Sequence, residues 1–322
     1  MPLDLASLLL GFYLLAKGAD ALVEGGATLA TRFGINPWVV GLTVVAWGTS
    51  LPEVVVSSLA AHDGQPGVAV DNVLGSNVAN AGLVLGTVGL ILPRALVGRL
   101  SVRESLPLLL SLAGLYHVLS DGQVTRVEGG VMLAVFIAYT LELILFRGRG
   151  EDSPAADLEP GETAAPYPGL RVALGALAIL LGARFVLMGA QGIAETLGLK
   201  DGVVGLLILA LGTSLPELAA GVVSARKGHT EIGLGNIVGS NVFNTLAVMG
   251  VAALVAPFGG PGSEGGTWAT DVERSLHRDF PVNVAFSLVL VLAPVVFRGR
   301  AARLRAGAML SGWLAYVLWI NL

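Results

Sequence analysis

Gly48-Thr49-Ser50-Leu51-Pro52-Glu53 recurs 164 positions later as Gly212-Thr213-Ser214-Leu215-Pro216-Glu217. At the same offset Gly75-Ser76-Asn77-Val78 falls on Gly239-Ser240-Asn241-Val242, and Asn80 falls on Asn244. Between residues 39 and 86, 21 of 48 positions are identical to their counterparts. Upstream, Gly11, Gly18, Ala19, Gly25, Ala30 and Gly34 also match at that offset. Shared apolar composition does not produce identical Thr-Ser-Leu-Pro-Glu strings, so the chain carries an internal duplication.

Both strings sit inside apolar runs. Of the 322 residues 54% are hydrophobic and 13% charged, against about 25% charged in soluble domains. With a mean hydropathy of +0.77, the membrane class leads. A span needs roughly 20 mostly apolar residues, and ten are expected: 3–31, 38–61, 68–92, 106–119 (short), 127–146, 169–194, 203–225, 232–256, 280–297 and 306–322. The apolar start lacks a basic leader region and runs into further spans, so a cleaved signal peptide is not expected.

The expected fold is therefore an all-α polytopic membrane protein of ten transmembrane helices. Residues 1–146 form a first five-helix repeat and residues 169–322 a second. Residues 147–168 form an acidic linker holding Glu151, Asp152, Asp157, Glu159 and Glu162. An odd number of spans per repeat inverts the second repeat relative to the first. Inverted repeats are typical of secondary transporters, with substrate bound near the midplane. Thirteen of the 19 Lys and Arg residues fall on the side opposite the N-terminus, among them Arg147, Arg149, Arg298, Arg300, Arg303 and Arg305. That side is expected to be cytoplasmic, with both termini outside.

A charged carboxylate at mid-membrane is costly, and by default it faces a cavity and serves a function. Glu53 and Glu217 occupy that depth at equivalent positions. Pro52 and Pro216 remove an N–H and push against the carbonyl four residues back; Leu51 and Leu215 are biased away from helix. Spans two and seven are therefore expected to break and free backbone carbonyls from Ala46 to Thr49 and from Ala210 to Thr213. Gly75 and Gly239 suggest distortions of spans three and eight. Bare backbone at that depth must be buried or line a cavity. The nearby ligands are all oxygen. The chain has no cysteine and four His, and none of His62, His117, His229 and His277 is paired at i, i+4, which argues against thiolate or imidazole metal sites. Ca²⁺ takes six to eight oxygens at about 2.3–2.6 Å. Two carboxylates balance one Ca²⁺ or two Na⁺, so a site neutral when loaded and charged when bare favours obligatory exchange.

This doubled motif resembles the α-repeats of the sodium/calcium exchanger superfamily, in particular its small prokaryotic members. The resemblance implies that helices 2, 3, 7 and 8 surround the ions while helices 1 and 6 slide. It makes Glu53 and Glu217 the main Ca²⁺ ligands. Thr49, Ser50, Thr213 and Ser214 would add hydroxyls and carbonyls, and Ala46 and Ala210 backbone carbonyls. Ser76, Ser240, Asn80 and Asn244 would complete the Na⁺ sites. Some relatives carry an Asp where this chain has Asn80 or Asn244, which leaves the number of Na⁺ per Ca²⁺ open. The implied activity is Na⁺/Ca²⁺ antiport by alternating access, directed to Ca²⁺ efflux, in a prokaryotic inner membrane. Ca²⁺/H⁺ exchange and K⁺-dependent Na⁺/Ca²⁺ exchange are the alternatives. The implied partners are the two ions and lipid, with no cofactor, nucleic acid or obligate protein partner.

An intramembrane hydrolase using Ser50 or Ser214 would need a base, and neither motif holds a His or reads Gly-x-Ser-x-Gly; no enzyme is expected. Lys17, Asp20 and Glu24 in the first span, with Arg184 in the sixth, read as an ion-paired or snorkelling set near the cytoplasmic end. The glycines of spans one and six have the spacing of close helix contacts.

Overall fold

The computed structural model describes residues 1–93, 102–147, 166–197, 212–259 and 272–320. Twelve helices account for most of them. We label them α1 (Pro2–Phe33), α2 (Pro37–Thr49), α3 (Leu51–His62), α4 (Pro66–Ile91), α5 (Val102–Leu119) and α6 (Arg126–Phe146). The rest are α7 (Pro168–Thr196), α8 (Leu215–Arg226), α9 (Thr230–Val255), α10 (Phe280–Val291), α11 (Ala293–Val296) and α12 (Ala302–Ile320). Extended structure among the described residues is limited to an isolated antiparallel bridge between Val124 and Phe258.

Among the described residues five helices are long and apolar enough to cross a membrane: α1, α4, α6, α7 and α9. The pair α2 and α3 makes a sixth if counted as one span bent by 48°. The bend falls at Ser50, where φ is −92° and ψ 12°. Its cause is local: Pro52 has no N–H to continue the ladder into α3. The expected fourth span is longer than its apolar stretch, and the expected ninth is interrupted at Leu292 between α10 and α11. The first half of the expected seventh span lies outside the described residues.

Two expectations about distortion are corrected. Gly75 and Gly239 lie in regular helix, and the irregular π-turns of α4 and α9 come one turn later, at Asn80–Val84 and Asn244–Val248. Gly239 serves close packing instead: a Cβ there would sit 2.6 Å from Leu42 Cα. Nor is the Ala46 carbonyl released by the break. It accepts the Ser50 N–H at 3.0 Å and the Thr49 hydroxyl at 3.2 Å.

Helices α4 and α9 are the most enclosed. Around them, α1 packs along α7 through glycines, the close approach expected of small-residue interfaces in membranes. A Cβ on Gly175 would lie 2.5 Å from Leu22 N, and one on Gly18 2.7 Å from Ile179 N. The outer faces carry exposed Leu9, Val55, Leu110, Val131, Leu174 and Leu314, while Glu53, Glu217, Asn77, Asn241 and Asn244 are buried. Apolar outside and polar inside is the polarity that suits a lipid solvent.

Candidate cation site

Glu53 and Glu217 stand in the first turns of α3 and α8, the one just after the break at Ser50 and the other just after Ser214, which caps α8, and neither has any solvent exposure. Their surroundings repeat the internal symmetry. Thr213 and Ser76 flank Glu53, while Ser50, Thr49 and Ser240 flank Glu217. Thr213 beside Glu53, and Thr49 and Ser50 beside Glu217, come from the other half of the chain, while Ser76 and Ser240 come from the same half. The two acids are also close enough to repel one another.

The symmetry fails at one hydrogen bond. Ser50 Oγ donates to Glu217 Oε1 at 2.8 Å. Among the described residues, both Glu53 oxygens and Glu217 Oε2 accept no hydrogen bond, and Asn80 Oδ1 and Asn244 Oδ1 also accept none. Thr213 and Ser76 turn to each other instead, at 3.2 Å. Five buried acceptor oxygens without donors, two of them on a fully buried carboxylate, would be costly in an apolar interior. A desolvated cation is what such a set can hold; the donor set is hard oxygen, suited to Ca²⁺ and Na⁺.

The residues expected from the sequence are therefore brought together. Thr49, Ser50, Glu53, Ser76, Asn80, Ser214, Glu217, Ser240 and Asn244 are all buried, and Thr213 is half-buried. Ala46 is buried and its carbonyl is engaged as described, and Ala210 lies outside the described residues. Several polar residues without an expected role join them. Asn72 Nδ2 donates to the Glu53 carbonyl at 3.3 Å and to Ser57 Oγ at 2.9 Å. Asn236 Oδ1 accepts from Thr49 at 3.2 Å. Asn77, Asn241 and Thr245 form a further cluster where α4 meets α9. Asn72 with Asn236, and Asn77 with Asn241, are again 164 apart, a signal that would have found them.

The two ends of the site differ. On one side a cavity of about 300 Å³ is lined by Asp71, Ser76, Thr213, Ser214, Arg278, Asp279 and Tyr316, among others. On the other, Leu22, Val40, Val45, Ala220 and Ile232 are packed as a buried apolar layer. Beyond that layer Lys227, just past α8, bonds Asp20 at 2.5 Å and also pairs with Glu24, which in turn pairs with Arg171 of α7. Asp20 and Glu24 are ion-paired as expected, but with Lys227 and Arg171 in place of the expected Lys17 and Arg184. Burial alone would lower the Lys227 pKa, but hydrogen bonds and charge from Asp20 and Glu24 raise it.

Comparison with known proteins adds an independent line. A family model described as sodium/calcium exchanger protein matches residues 3–145 and 169–321. The Escherichia coli inner membrane protein YrbG is 32% identical over 100% of this chain and 98% of its own length. The sodium/calcium exchanger MaX1 of Methanosarcina acetivorans is 30% identical over 88% of this chain and 89% of its own. Among solved structures, the sodium–calcium exchanger NCX_Mj superposes with a TM-score of 0.75 at 27% identity, covering 98% of each chain.

Proposed function

The chain belongs to the sodium/calcium exchanger family, and from that premise we propose that it is a secondary antiporter exchanging Ca²⁺ for Na⁺ by alternating access, in the direction of Ca²⁺ efflux. The observation that carries this reading is the pair Glu53 and Glu217. They lie at equivalent positions of a duplicated motif, both are fully buried, and three of their four oxygens accept no hydrogen bond from the described residues. Their charges repel when no cation is shared and are neutralised by one Ca²⁺ or two Na⁺. The ligands in this reading are Glu53 and Glu217 with Thr49, Ser50, Thr213, Ser214, Ser76, Ser240, Asn80 and Asn244, and the Ala210 carbonyl. None of these residues acts as a catalyst.

The architecture proposed with it is ten spans in two inverted five-helix repeats, residues 1–146 and 169–322, joined by the cytoplasmic linker 147–168. Both termini lie outside a prokaryotic inner membrane; the similarity to an inner membrane protein supports that location. In this orientation the cavity beside Ser76 and Thr213 opens outward. The apolar layer and the Lys227 ion pairs close the cytoplasmic end. Alternation then requires α1 and α7, bound to each other through glycines, to shift against the helices that hold the ligands.

The test is Ca²⁺ flux in proteoliposomes under an imposed Na⁺ gradient, with parallel K⁺ and pH gradients. Ca²⁺ uptake driven by outward Na⁺ alone is the expected result. Uptake that ignores Na⁺ and follows a pH gradient would replace the reading with Ca²⁺/H⁺ exchange. A requirement for K⁺ beside Na⁺ would make it K⁺-dependent.

A further inference from the structure

At the crossing of α4 and α9, the orientation of each asparagine amide follows from a chain of hydrogen bonds that begins on a backbone carbonyl. A carbonyl only accepts. Asn241 O accepts from Thr245 Oγ1 at 2.7 Å, which commits the hydroxyl proton. Thr245 Oγ1 therefore meets Asn77 as an acceptor, taking Asn77 Nδ2 at 3.0 Å. Asn77 is left presenting Oδ1, which receives Asn244 Nδ2 at 3.2 Å. Asn244 Oδ1 then remains buried without a donor.

The second chain runs the other way. Asn77 O accepts Asn241 Nδ2 at 3.4 Å. Asn241 Oδ1 accepts Asn80 Nδ2 at 3.0 Å, which leaves Asn80 Oδ1 without a donor. Both chains cross between the two halves of the protein. An unconstrained amide can turn either its oxygen or its NH₂ toward a site, and an NH₂ facing a cation repels it. Fully buried Asn77, Asn241 and Thr245 remove that choice.

We propose that Asn77, Asn241 and Thr245 are positioning residues that turn Asn80 and Asn244 so that their amide oxygens face the transported cation. The proposal rests on the antiport reading for the identity of the cation, and deepens it. The two chains are unequal: position 81 is Ala where the second half has Thr245. The hydroxyl relay therefore governs Asn77 and Asn244, while Asn241 is held by the Asn77 carbonyl alone.

The experiment uses the purified full chain, with Ca²⁺ and Na⁺ binding followed by calorimetry and transport by flux. Thr245→Val and Asn77→Ala are expected to weaken Ca²⁺ binding roughly tenfold or more and to raise KM, with a smaller change in maximal rate. Thr245→Ser, which keeps the hydroxyl, is expected to restore wild-type KM. Unchanged affinities for both Ca²⁺ and Na⁺ in well-folded Thr245→Val overturn the proposal. So does a Thr245→Ser variant as impaired as Thr245→Val, because that makes methyl packing the cause. If the wild type binds Ca²⁺ but transports without regard to Na⁺, the coupling reading fails while the positioning claim is still decided by binding.

Discussion

Ser50, at the break between α2 and α3, donates a 2.8 Å hydrogen bond to Glu217 in the first turn of α8, 167 residues away. The helix break of one half is thereby joined directly to the carboxylate of the other. A hydrogen bond to a charged group contributes roughly 1.5–3 kcal/mol. Ser50→Ala is therefore expected to weaken apparent Ca²⁺ affinity by about tenfold to a hundredfold, read from the KM of Ca²⁺ uptake. An unchanged KM would mean that this bond does not support the loaded site.

Glu53 stands in a different position, because neither of its oxygens accepts a hydrogen bond from the described residues. Replacing it with an amide removes the carboxylate that a shared cation would neutralise. Glu53→Gln is expected to abolish exchange and to lose the thermal stabilisation that added Ca²⁺ gives the wild type. Stabilisation by Ca²⁺ equal to that of the wild type would show that Glu53 does not hold the ion.

The glycine contacts between α1 and α7 predict a sharp positional contrast. A side chain at Gly175 would press on the Leu22 backbone, which cannot move aside. Gly175→Val should destabilise by about 1–3 kcal/mol or force the helices apart. Gly114 in α5 has nothing within 4 Å of a built Cβ. Gly114→Ala should be neutral or slightly stabilising, since Ala favours helix. Denaturation of both variants in detergent checks this.

Lys227 ties the far end of α8 to α1, so its removal should loosen the end of the site opposite the cavity. The chain has no cysteine, and one placed at buried Ser224 of α8 reports opening by thiol labelling. Lys227→Gln should speed labelling, and Lys227→Arg, which keeps the charge facing Asp20 and Glu24, should not. The lysine pKa is raised, so its contribution is complete below the ordinary lysine range and is lost as pH rises through the higher folded value. Labelling should therefore show no Lys227-dependent change between about pH 6 and 9. A Lys227-dependent rise inside that window would argue against the pairing.

Much of this site was legible in the duplicated strings. Glu53, Glu217 and their Thr-Ser neighbours are marked by identity at a fixed offset, because equivalent residues of the two halves are brought to one place. The break at Ser50 was legible in Pro52, whose missing N–H acts locally. The π-turns at Asn80 and Asn244 were not: Gly82 lies within the first, but the second holds neither Gly nor Pro, and both arise where α4 and α9 pack. Gly239 misled for the same reason: its lack of a side chain serves the approach of Leu42 and not a bend. Asn77 and Asn241 matched at the offset, yet their task depends on a helix crossing that the offset does not describe. The partners of Asp20 and Glu24 were hidden by distance along the chain, Lys227 lying 203 residues from Glu24.

The central claim is that one cation is shared by two carboxylates from the two halves. A structure of the protein loaded with Ca²⁺, with the ion located by anomalous scattering, tests it most directly. The account predicts one Ca²⁺ within about 2.3–2.6 Å of oxygens from both Glu53 and Glu217. Ca²⁺ bound to only one of them, or elsewhere with both carboxylates bare, would contradict it.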